Sequence, residues 1–304
     1  MARSSRTTMA ILVPKPMGTI LNDHNQARLE RSCGPLPCDW IRFAPSQPGL
    51  ERIEAFFAGH AYDPHRHDTY AIGYTVGGVQ SFDYRGARAD STRGSVMVLY
   101  PDQVHDGRAG TKAGFLYRML YIEPRLIRNA LGEKTRSLPF VRSAVLRNQC
   151  LMAALRPALD DLDRDLEALE TDQVVLAIAE ALLALDAFSK NRSLAATCST
   201  AVELARQFLD AHFERVVASE ELEALTGLDR YALARHFRTR LGTSPYRYLT
   251  MRRLDHVRFL VRAGHSLADA AFACGFADQS HMTRQFKRAY GLSPSRWRAI
   301  DIAS

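Results

Sequence analysis

The chain is 304 residues long, 46% of them hydrophobic and 9% aromatic, and it carries a formal net charge of +7. A hydrophobic share near half excludes a disordered chain, and the length suits two domains that each bury a core. Most of the excess positive charge lies in residues 199–304, where 16 lysines and arginines face 11 acids, against 24 and 22 in residues 1–198. A basic part beside a nearly neutral one is expected of a protein that contacts nucleic acid on one side, although this charge also suits an ordinary soluble domain.

The cysteines and the N-terminal segment indicate the cellular compartment in which the protein is expected. The five cysteines are odd in number and scattered, without a CxxC or Cys/His spacing, which favours reduced thiols over disulfides or structural zinc. Residues 1–18 are too short and too interrupted by proline for the apolar core of a signal peptide, and no run of about 18 apolar residues occurs. The sequence therefore predicts a cytoplasmic protein without a membrane span.

In chain order, residues 1–50 are the first segment with a composition of its own. They hold six of the 13 prolines and little periodicity, which predicts an N-terminal arm, with plain disorder as the alternative. Between Ile53 and Ile122 the sequence changes to short runs rich in Val, Ile, Tyr and Phe, punctuated by glycine and proline. Regular short strands of this kind predict a small β-barrel or jelly roll.

From Leu126 to Ser189 apolar residues recur at helical spacing. Five leucines at steps of three and four residues predict an apolar seam, namely Leu155, Leu159, Leu162, Leu166 and Leu169. Such a seam can pack on the barrel or pair two subunits as a short antiparallel coiled coil, and burial within one subunit is the default interpretation. Residues 189–200 are small and polar and are predicted to form a linker.

The C-terminal part contains one pattern twice, in residues 222–249 and 267–298. The second copy begins with an apolar set, namely Leu267, Ala270, Ala271 and Phe272, which ends at Gly275. Asp278 then stands where a helix N-cap belongs. The inward positions of the two following helices are Leu233 and Phe237 in the first copy and Met282, Phe286 and Tyr290 in the second. Each copy predicts a helix-turn-helix with a basic, exposed recognition helix.

The stretch ACGFADQSHMTRQFKRAYGLSPSRWR, with its upstream copy, resembles the DNA-binding domain of the AraC/XylS family of bacterial transcription regulators. The segments HRHDTYAIG and YPDQVHD are similar to the cupin-type ligand-binding domain that many members carry. This resemblance implies a multi-domain α and β protein, with a cupin-like β-barrel and a helical dimerisation segment in residues 51–188. An all-α domain with two helix-turn-helix motifs would follow in residues 201–304. The resemblance also implies a homodimer and an arm that can lie against either domain.

The cupin-like segments would place His65, His67 and His105 near one mouth of the barrel. In catalytic cupins the first segment supplies H-x-H and a nearby Glu, and the second supplies one more His, a set that holds zinc or iron. The Glu is missing here, and the second segment lacks the usual glycine. The three histidines, with Tyr70, are therefore predicted to bind an organic effector, such as an amino acid or a sugar, while metal binding is the alternative. No cofactor is predicted.

The resemblance also assigns roles on both recognition helices. The residues predicted to read base edges are Tyr231, Ala234 and Arg235 in the first copy and Gln279, Ser280, Thr283 and Arg284 in the second. Arg238, Lys287 and Arg288 are predicted to contact phosphates, which add affinity without sequence information. A helix over about residues 245–263 would join the copies rigidly and set the recognition helices in successive major grooves about 34 Å apart. The predicted partner is double-stranded DNA with two adjacent major-groove sites.

Together these features predict a ligand-responsive, sequence-specific DNA-binding transcription regulator and not an enzyme, with activation the commoner outcome in the family. One alternative is a metal-dependent cupin enzyme that carries a DNA-binding tail, against which the missing Glu counts. Another is a ligand-independent regulator whose barrel only dimerises. Metal analysis of the purified protein would test the first alternative, and a search for metabolites that shift the melting temperature would test the second.

Overall fold

The computed structural model describes residues 39–302, except for residues 46, 133, 134, 136 and 187–198, so most of the predicted arm and linker lie outside it. Strands dominate the first part of this region and helices the second, as predicted. The strands are β1 (Trp40–Phe43), β2 (Leu50–Phe57), β3 (His60–His65), β4 (Tyr70–Tyr84), β5 (Ala87–Thr92), β6 (Val96–Leu99), β7 (His105–Ala109), β8 (Phe115–Ile122), β9 (Val145–Leu146) and β10 (Asp301–Ile302). The helices are α1 (Pro124–Leu131), α2 (Gln149–Leu159), α3 (Ala168–Leu185), α4 (Ser199–Ala211), α5 (Ser219–Thr226), α6 (Arg230–Leu241), α7 (Pro245–Arg262), α8 (Leu267–Ala273), α9 (Gln279–Tyr290) and α10 (Pro294–Ile300).

Strand β4 joins the two sheets of the β-rich half. Its first part pairs with β6 and β8, and its second part pairs with β5 and β7. The first sheet has the order β10-β1-β2-β8-β4-β6-β9, while β3 and β7 extend the second. A bulge between Thr75 and Gly77 lies near the change of partners. At Gly78, φ is +70° and an added Cβ would collide with the carbonyl of Gly114, so only glycine fits this close approach of two strands.

The first sheet buries a different core on each face because side chains alternate along a strand. Met97, Leu99 and Met119 belong to the inner core that also holds residues of the second sheet. Val98 and Leu120, their neighbours in sequence, belong to the core formed with α1, α2 and α3. The β-rich half therefore has an inner core between its sheets and an outer face covered by helices.

The predicted leucine seam does not lie on one helix. Leu162 and Leu166 lie in the connection between α2 and α3, where both are buried, and Leu169 is exposed. The buried guanidinium of Arg52 on β2 holds this connection in place, donating to the carbonyls of Ala158, Asp161 and Arg164. Because four of the five leucines are buried within this chain, the default interpretation of the seam holds for those four, and Leu169 is the exception.

The two recognition helices begin and end with the same residue types. The carboxylates of Asp229 and Asp278 accept backbone N–H groups in the first turns of α6 and α9. Gly242 and Gly291, with φ of 74° and 69°, end these helices in the left-handed conformation that favours glycine. A Ser-Pro pair then starts α7 after the first copy and α10 after the second. The repeated start and stop residues explain why the two copies fold alike.

Four of the five predicted inward residues of the recognition helices are buried and the fifth, Tyr290, is half-buried, while one error occurs in the helix before α9. Leu233, Phe237, Met282 and Phe286 are buried, in agreement with their spacing. Phe272, predicted to belong to the apolar set of the second copy, is 85% exposed. The inward face of the short helix α8 is set by Ala270, Ala271 and Cys274, and a residue at position 272 falls on the other side of a helical wheel.

Helix α7 connects the two copies and packs in two directions. Tyr248 and Leu249, near its start, belong to the core of the first copy. Leu254 and Val257 belong to a cluster that also contains the second copy and the inner core of the β-rich half. The second helix-turn-helix therefore shares a core with the β-rich half. Among the described helices none is both long and apolar enough to cross a membrane.

The last strand returns to the β-rich half. β1, which the sequence analysis places in the arm, pairs antiparallel with β2 and parallel with β10. Ile41 lies opposite Asp301, and Arg42 lies opposite Ile302. The C-terminal end of the helical half is thus joined to the edge of the first sheet.

Candidate functional site

The predicted DNA-contacting residues of the first copy lie on α6. Tyr231, Arg235 and Arg238 are exposed and Ala234 is half-buried. Within the described part of the chain, the side chains of Arg235 and Arg238 make no ion pair or hydrogen bond. Arg230, at the start of the helix, is instead held by two glutamates of α5. The exposed face of α6 therefore keeps two arginines available to donate hydrogen bonds.

The predicted residues of the second copy lie on α9, where Gln279, Ser280, Arg284 and Arg288 are exposed and Thr283 is half-buried. Arg284 follows the capping Asp278 by six residues, the same distance that separates Arg235 from Asp229. The side chains of Arg284 and Arg288 have no hydrogen-bond partner among the described residues. The two recognition helices thus present an arginine at equivalent places.

Lys287 differs from its equivalent in the first copy, Arg238, because it contacts the β-rich half. Its ammonium lies 2.7 Å from the carboxylate Oδ2 of Asp63 on β3, and this hydrogen bond lowers the pKa of Asp63. Two backbone hydrogen bonds of 2.9 and 3.0 Å continue the contact, from the N–H groups of Asp63 and Arg66 to the carbonyls of Gly291 and Arg288. The C-terminal end of α9 is therefore docked on β3.

The three predicted histidines come together in the β-rich half. One ring nitrogen of each lies within 4.8 Å of the others, and all three side chains are buried. β3 contributes His65, the turn after it contributes His67, and β7 contributes His105. The pairing of β3 with β7 places His65 opposite His105, whose ring centroids are 4.2 Å apart. The distance between the ring centroids of His67 and His105 is 5.0 Å.

Backbone carbonyls fix the tautomer of each ring. The Nδ1 atoms of His65, His67 and His105 lie 2.9, 3.0 and 3.0 Å from the carbonyl oxygens of Asp63, Thr69 and Gln103. A carbonyl can only accept, so each Nδ1 carries the hydrogen and Nε2 keeps its lone pair. Burial lowers the pKa of all three imidazoles, that of His105 to about 4. All three rings are therefore neutral near pH 7.

A cavity of about 460 Å³ lies beside the histidines, with one wall from the β-rich half and one from the helical half. The first wall includes Tyr62, His65, His67 and Tyr121. The second comes from α7, α9 and α10 and includes Arg252, Arg258, Phe259, Tyr290 and Trp297. Walls that combine apolar, aromatic and charged side chains, around a space of this size, suit a small organic molecule with polar groups.

Two arginines of α7 connect the walls of the cavity. Arg258 pairs with Glu51 of β2 at 2.6 Å, and its guanidinium lies 5.1–5.3 Å from the ring centroids of Phe43, Tyr290 and Trp297. Arg252 pairs with Asp68 and Glu123, each at 3.0 Å. No role is predicted for these arginines from the sequence. The sequence feature that could have pointed to them is the number of arginines in α7, because a helix that only links two motifs needs an apolar stripe and does not need so many arginines.

Asp68 lines the same cavity and is only partly satisfied. Its Oδ1 is buried and, in the described region, has no hydrogen-bond partner, while Oδ2 is held by Arg252. Burial raises the pKa of this carboxyl to about 6. Asp68 therefore offers an acceptor, or a proton, to a molecule in the cavity.

Tyr70 is the one predicted effector residue outside the histidine cluster, whereas His105 belongs to the cluster without lining the cavity itself. Tyr70 belongs to the outer core with α1, α2 and α3, and its hydroxyl donates to the carbonyl of Pro139 at 2.8 Å. It does not line the cavity. Alternation along β4 explains the difference, since Ala71 rather than Tyr70 faces the inner core.

Two protein-family models match the chain. A model of the AraC-like ligand binding domain matches residues 47–182, and a model of a helix-turn-helix domain matches residues 222–300. The first range contains the three histidines and the cavity-lining strands other than β1, and the second contains both recognition helices.

Relatives and solved structures agree with these matches. YbfI of Bacillus subtilis, named as an uncharacterized HTH-type transcriptional regulator, is 29% identical over 235 residues, which are 76% of this chain and 86% of YbfI. RhaS of Klebsiella pneumoniae, an HTH-type transcriptional activator, is 36% identical over 88 residues, but these are only 29% of this chain and 32% of RhaS. The crystal structure of ToxT from Vibrio cholerae shares the fold, with a TM-score of 0.59 at 13% identity over 84% of this chain and 98% of ToxT.

Proposed function

Because the chain belongs to the AraC family of ligand-responsive, DNA-binding transcription regulators, we propose that its effector binds in the cavity between the two halves. The observation that supports this proposal is the origin of the two walls. One comes from the ligand-binding domain and the other from the helices that connect and carry the recognition helices. A ligand that touches both walls has a binding free energy that depends on their relative position, which is the requirement for a switch.

For the DNA site, we propose that base edges are read by Tyr231, Ala234, Arg235, Gln279, Ser280, Thr283 and Arg284. Arg235 and Arg284 are exposed and unpaired as far as the described residues go, which supports this role because a bidentate contact with guanine needs a free guanidinium. Arg238 and Arg288 are the proposed phosphate contacts, and Lys287 joins them once it is released from Asp63.

The ion pair between Lys287 and Asp63 supplies the link between effector and DNA in this proposal. DNA phosphates compete with the Asp63 carboxylate for the same ammonium. An effector that favours separation of α9 from β3 raises DNA affinity, and one that favours the docked arrangement lowers it. The size of either effect is limited by the difference in effector affinity between the two arrangements.

We propose a small zwitterionic or polyhydroxylated effector, such as an amino acid or a sugar. The charged residues of the cavity are three arginines and four acids, namely Arg252, Arg258, Arg262, Glu51, Asp68, Glu123 and Asp255. This nearly balanced lining offers both donors and acceptors and does not favour a simple anion. One solved ToxT structure holds an unsaturated fatty acid. A bare carboxylate of that kind fits the present lining less well.

The proposed state is a cytoplasmic homodimer. Helix α3 exposes Leu169 and Leu176, which are seven residues apart and therefore share one helical face. A second copy of α3 is a suitable cover for such a stripe. Analytical ultracentrifugation of the full chain and of a Leu169→Glu, Leu176→Glu variant tests this, with a monomeric variant and a dimeric wild type as the expected result.

Selection of genomic fragments bound by the purified protein tests the DNA proposal. The wild type should select two half-sites about one helical turn apart, and Arg235→Ala and Arg284→Ala should each relax sequence preference in one half-site. Arg93→Ala, an exposed arginine of the β-rich half, serves as the matched control and should leave the motif unchanged. Uniform, salt-sensitive binding by the wild type would contradict sequence-specific recognition.

A thermal-shift screen of amino acids and sugars tests the cavity. A true effector raises the melting temperature of the wild type and raises it less in Phe259→Ala, because Phe259 lines the cavity yet is largely exposed and adds little to the core. Phe272→Ala removes an even more exposed phenylalanine, which does not line the cavity, and should respond like the wild type. Equal responses of both variants would place the effector outside the cavity.

A further inference from the structure

The histidine cluster carries an inference that the missing glutamate of the sequence motif does not suggest. One ring nitrogen of each of the three neutral imidazoles lies within 4.8 Å of the others, and we assign these nitrogens as Nε2 because every Nδ1 is engaged by a backbone carbonyl. No group of the described residues donates a hydrogen bond to any of the three Nε2 atoms. Three acceptor lone pairs that converge in this way suit a cation, or a hydrogen-bond donor, placed between them.

The distances suit a metal ion. A triangle with sides of 4.8 Å has its centre about 2.8 Å from each corner, so an inward movement of less than about 1 Å reaches the 2.0–2.1 Å of a zinc–imidazole bond. Side chains at strand ends can make such a shift without a change of fold. The three histidines thus form a site that needs only small adjustments to bind an ion.

The hydrogen bonds made by the Nδ1 atom of each ring also support a metal site. A metal-bound histidine almost always donates its other N–H to a carbonyl, a carboxylate or water, which fixes the tautomer and orients the ring. Here all three rings donate Nδ1–H to a backbone carbonyl, which cannot turn away as a side chain could. Three identical arrangements in one cluster indicate preorganisation of the three Nε2 atoms for a common partner.

We propose that His65, His67 and His105 bind one divalent transition-metal ion of the zinc class through Nε2, with an open coordination position that faces the cavity. Imidazole nitrogens favour Zn²⁺, Fe²⁺, Co²⁺ or Ni²⁺ over Mg²⁺ and Ca²⁺, and three protein ligands leave a position for a further ligand. His65 and His67 line the cavity, so that position opens on it. The proposal rests on the proposed function in one respect, namely that an effector oxygen would occupy the open position.

The site also lies directly behind the contact between β3 and α9. An added Cβ at Gly291, the end of α9, would lie 2.8 Å from Nδ1 of His65 and 2.8 Å from the carbonyl of Asp63. That carbonyl is the one that orients the His65 ring. Movement of His65 towards an ion therefore reaches the docked end of α9 through a single residue.

Isothermal titration of chelator-treated full-length protein with ZnCl₂ tests the metal site. The wild type is expected to bind one Zn²⁺ per chain. His67→Gln and His105→Gln should weaken binding by more than the roughly 10–100-fold that loss of an outer hydrogen-bond partner causes. His265→Gln, an exposed histidine between α7 and α8, is the matched control and should bind like the wild type. No stoichiometric binding by the wild type, or equal binding by all the variants, would overturn the proposal.

A second measurement keeps the test valid if the glutamine variants fail to fold. Co²⁺ added to the wild type should give the intense visible absorption of a four-coordinate ion, and saturating Zn²⁺ should raise the melting temperature by about 5 °C. The weak absorption of six-coordinate Co²⁺, without a thermal shift, would mean adventitious surface binding and would reject the site.

The coupling to α9 has its own readout. Hydrogen exchange of the wild type with and without Zn²⁺ should differ in peptides from β3 and from residues 287–291, and should be unchanged in α6. Because neither this measurement nor the titrations use DNA, loss of the metal site and loss of the DNA proposal can be told apart. Zn²⁺ binding without any change near residues 287–291 would reject the coupling.

Discussion

At the scale of single residues, two helix-ending glycines give a direct test of the docked arrangement. Gly227 and Gly291 both have φ of +69°, but an added Cβ meets nothing at Gly227 and meets β3 at Gly291. We expect Gly227→Ala to lower the free energy of unfolding by roughly 1–2 kcal/mol, from backbone strain alone. Gly291→Ala should lower it further, because α9 must also move away from β3.

Chemical denaturation of both variants gives the comparison, with hydrogen exchange in β3 as a local readout. Only Gly291→Ala should speed exchange there. An equal loss of stability in the two variants, with β3 unaffected, would show that α9 and β3 are not in contact in solution.

The ion pair between Asp63 and Lys287 gives a second test at this scale. Asp63→Asn removes the competing carboxylate, so we expect effector-free protein to bind its selected DNA up to about fivefold more tightly, in the range of a surface ion pair. Asp83→Asn breaks another exposed ion pair of the β-rich half, with Arg108, and should leave DNA affinity unchanged. Fluorescence anisotropy at fixed salt measures both, and equal affinities of wild type and Asp63→Asn would argue against competition for Lys287.

At the scale of elements, substitutions of two phenylalanines distinguish the core of the second helix-turn-helix from its surface. Phe286 is fully buried on α9, whereas Phe272 is exposed on α8. We expect Phe286→Ala to lower the free energy of unfolding by about 3–5 kcal/mol. Phe272→Ala should change it by less than about 0.5 kcal/mol. Thermal and denaturant unfolding would measure both, and a large loss for Phe272→Ala would contradict its exposed position.

Helical spacing predicts much of this half because the signal is local. The positions of Leu233, Phe237, Met282 and Phe286 follow from a period of 3.6 residues and from aspartate and glycine at the helix ends. The error at Phe272 arises in a helix of only seven residues, where a period is poorly defined. The break in the leucine seam has another cause. The connection that interrupts it is held by hydrogen bonds from Arg52, which is more than a hundred residues distant in sequence.

At the scale of the whole molecule, the shared core predicts how the protein unfolds. The inner core of the β-rich half and the core of the second helix-turn-helix form one cluster, and the described residues all belong to one compact unit. We expect differential scanning calorimetry to show one cooperative transition, with equal calorimetric and van't Hoff enthalpies. Two separate transitions would mean that the halves are independently stable and only loosely docked.

The candidate site could be predicted only in part at this scale. The histidine cluster follows from the resemblance to the two cupin-type segments, and the pairing of β3 with β7 brings these segments together. The cavity could not be predicted, because its second wall comes from α7, α9 and α10, and no local pattern specifies how these helices meet the strands. Arg252 and Arg258 were missed for the same reason: their partners are in β2 and in the segments next to β4 and β8.

The pairing of β10 with β1 makes the helical half a segment held at both ends. Its beginning is tied to the β-rich half by the chain itself, and its end is tied by backbone hydrogen bonds at the sheet edge. A half that is attached at two points can rotate about the line between them but cannot separate from the other half. We therefore expect any change of arrangement to be a rotation of the helical half and not its release. An affinity tag or a truncation placed just after Ile300 would disrupt one of the two attachments, the pairing of β10 with β1. A protein altered at this position is expected to hold its helical half by the chain connection alone.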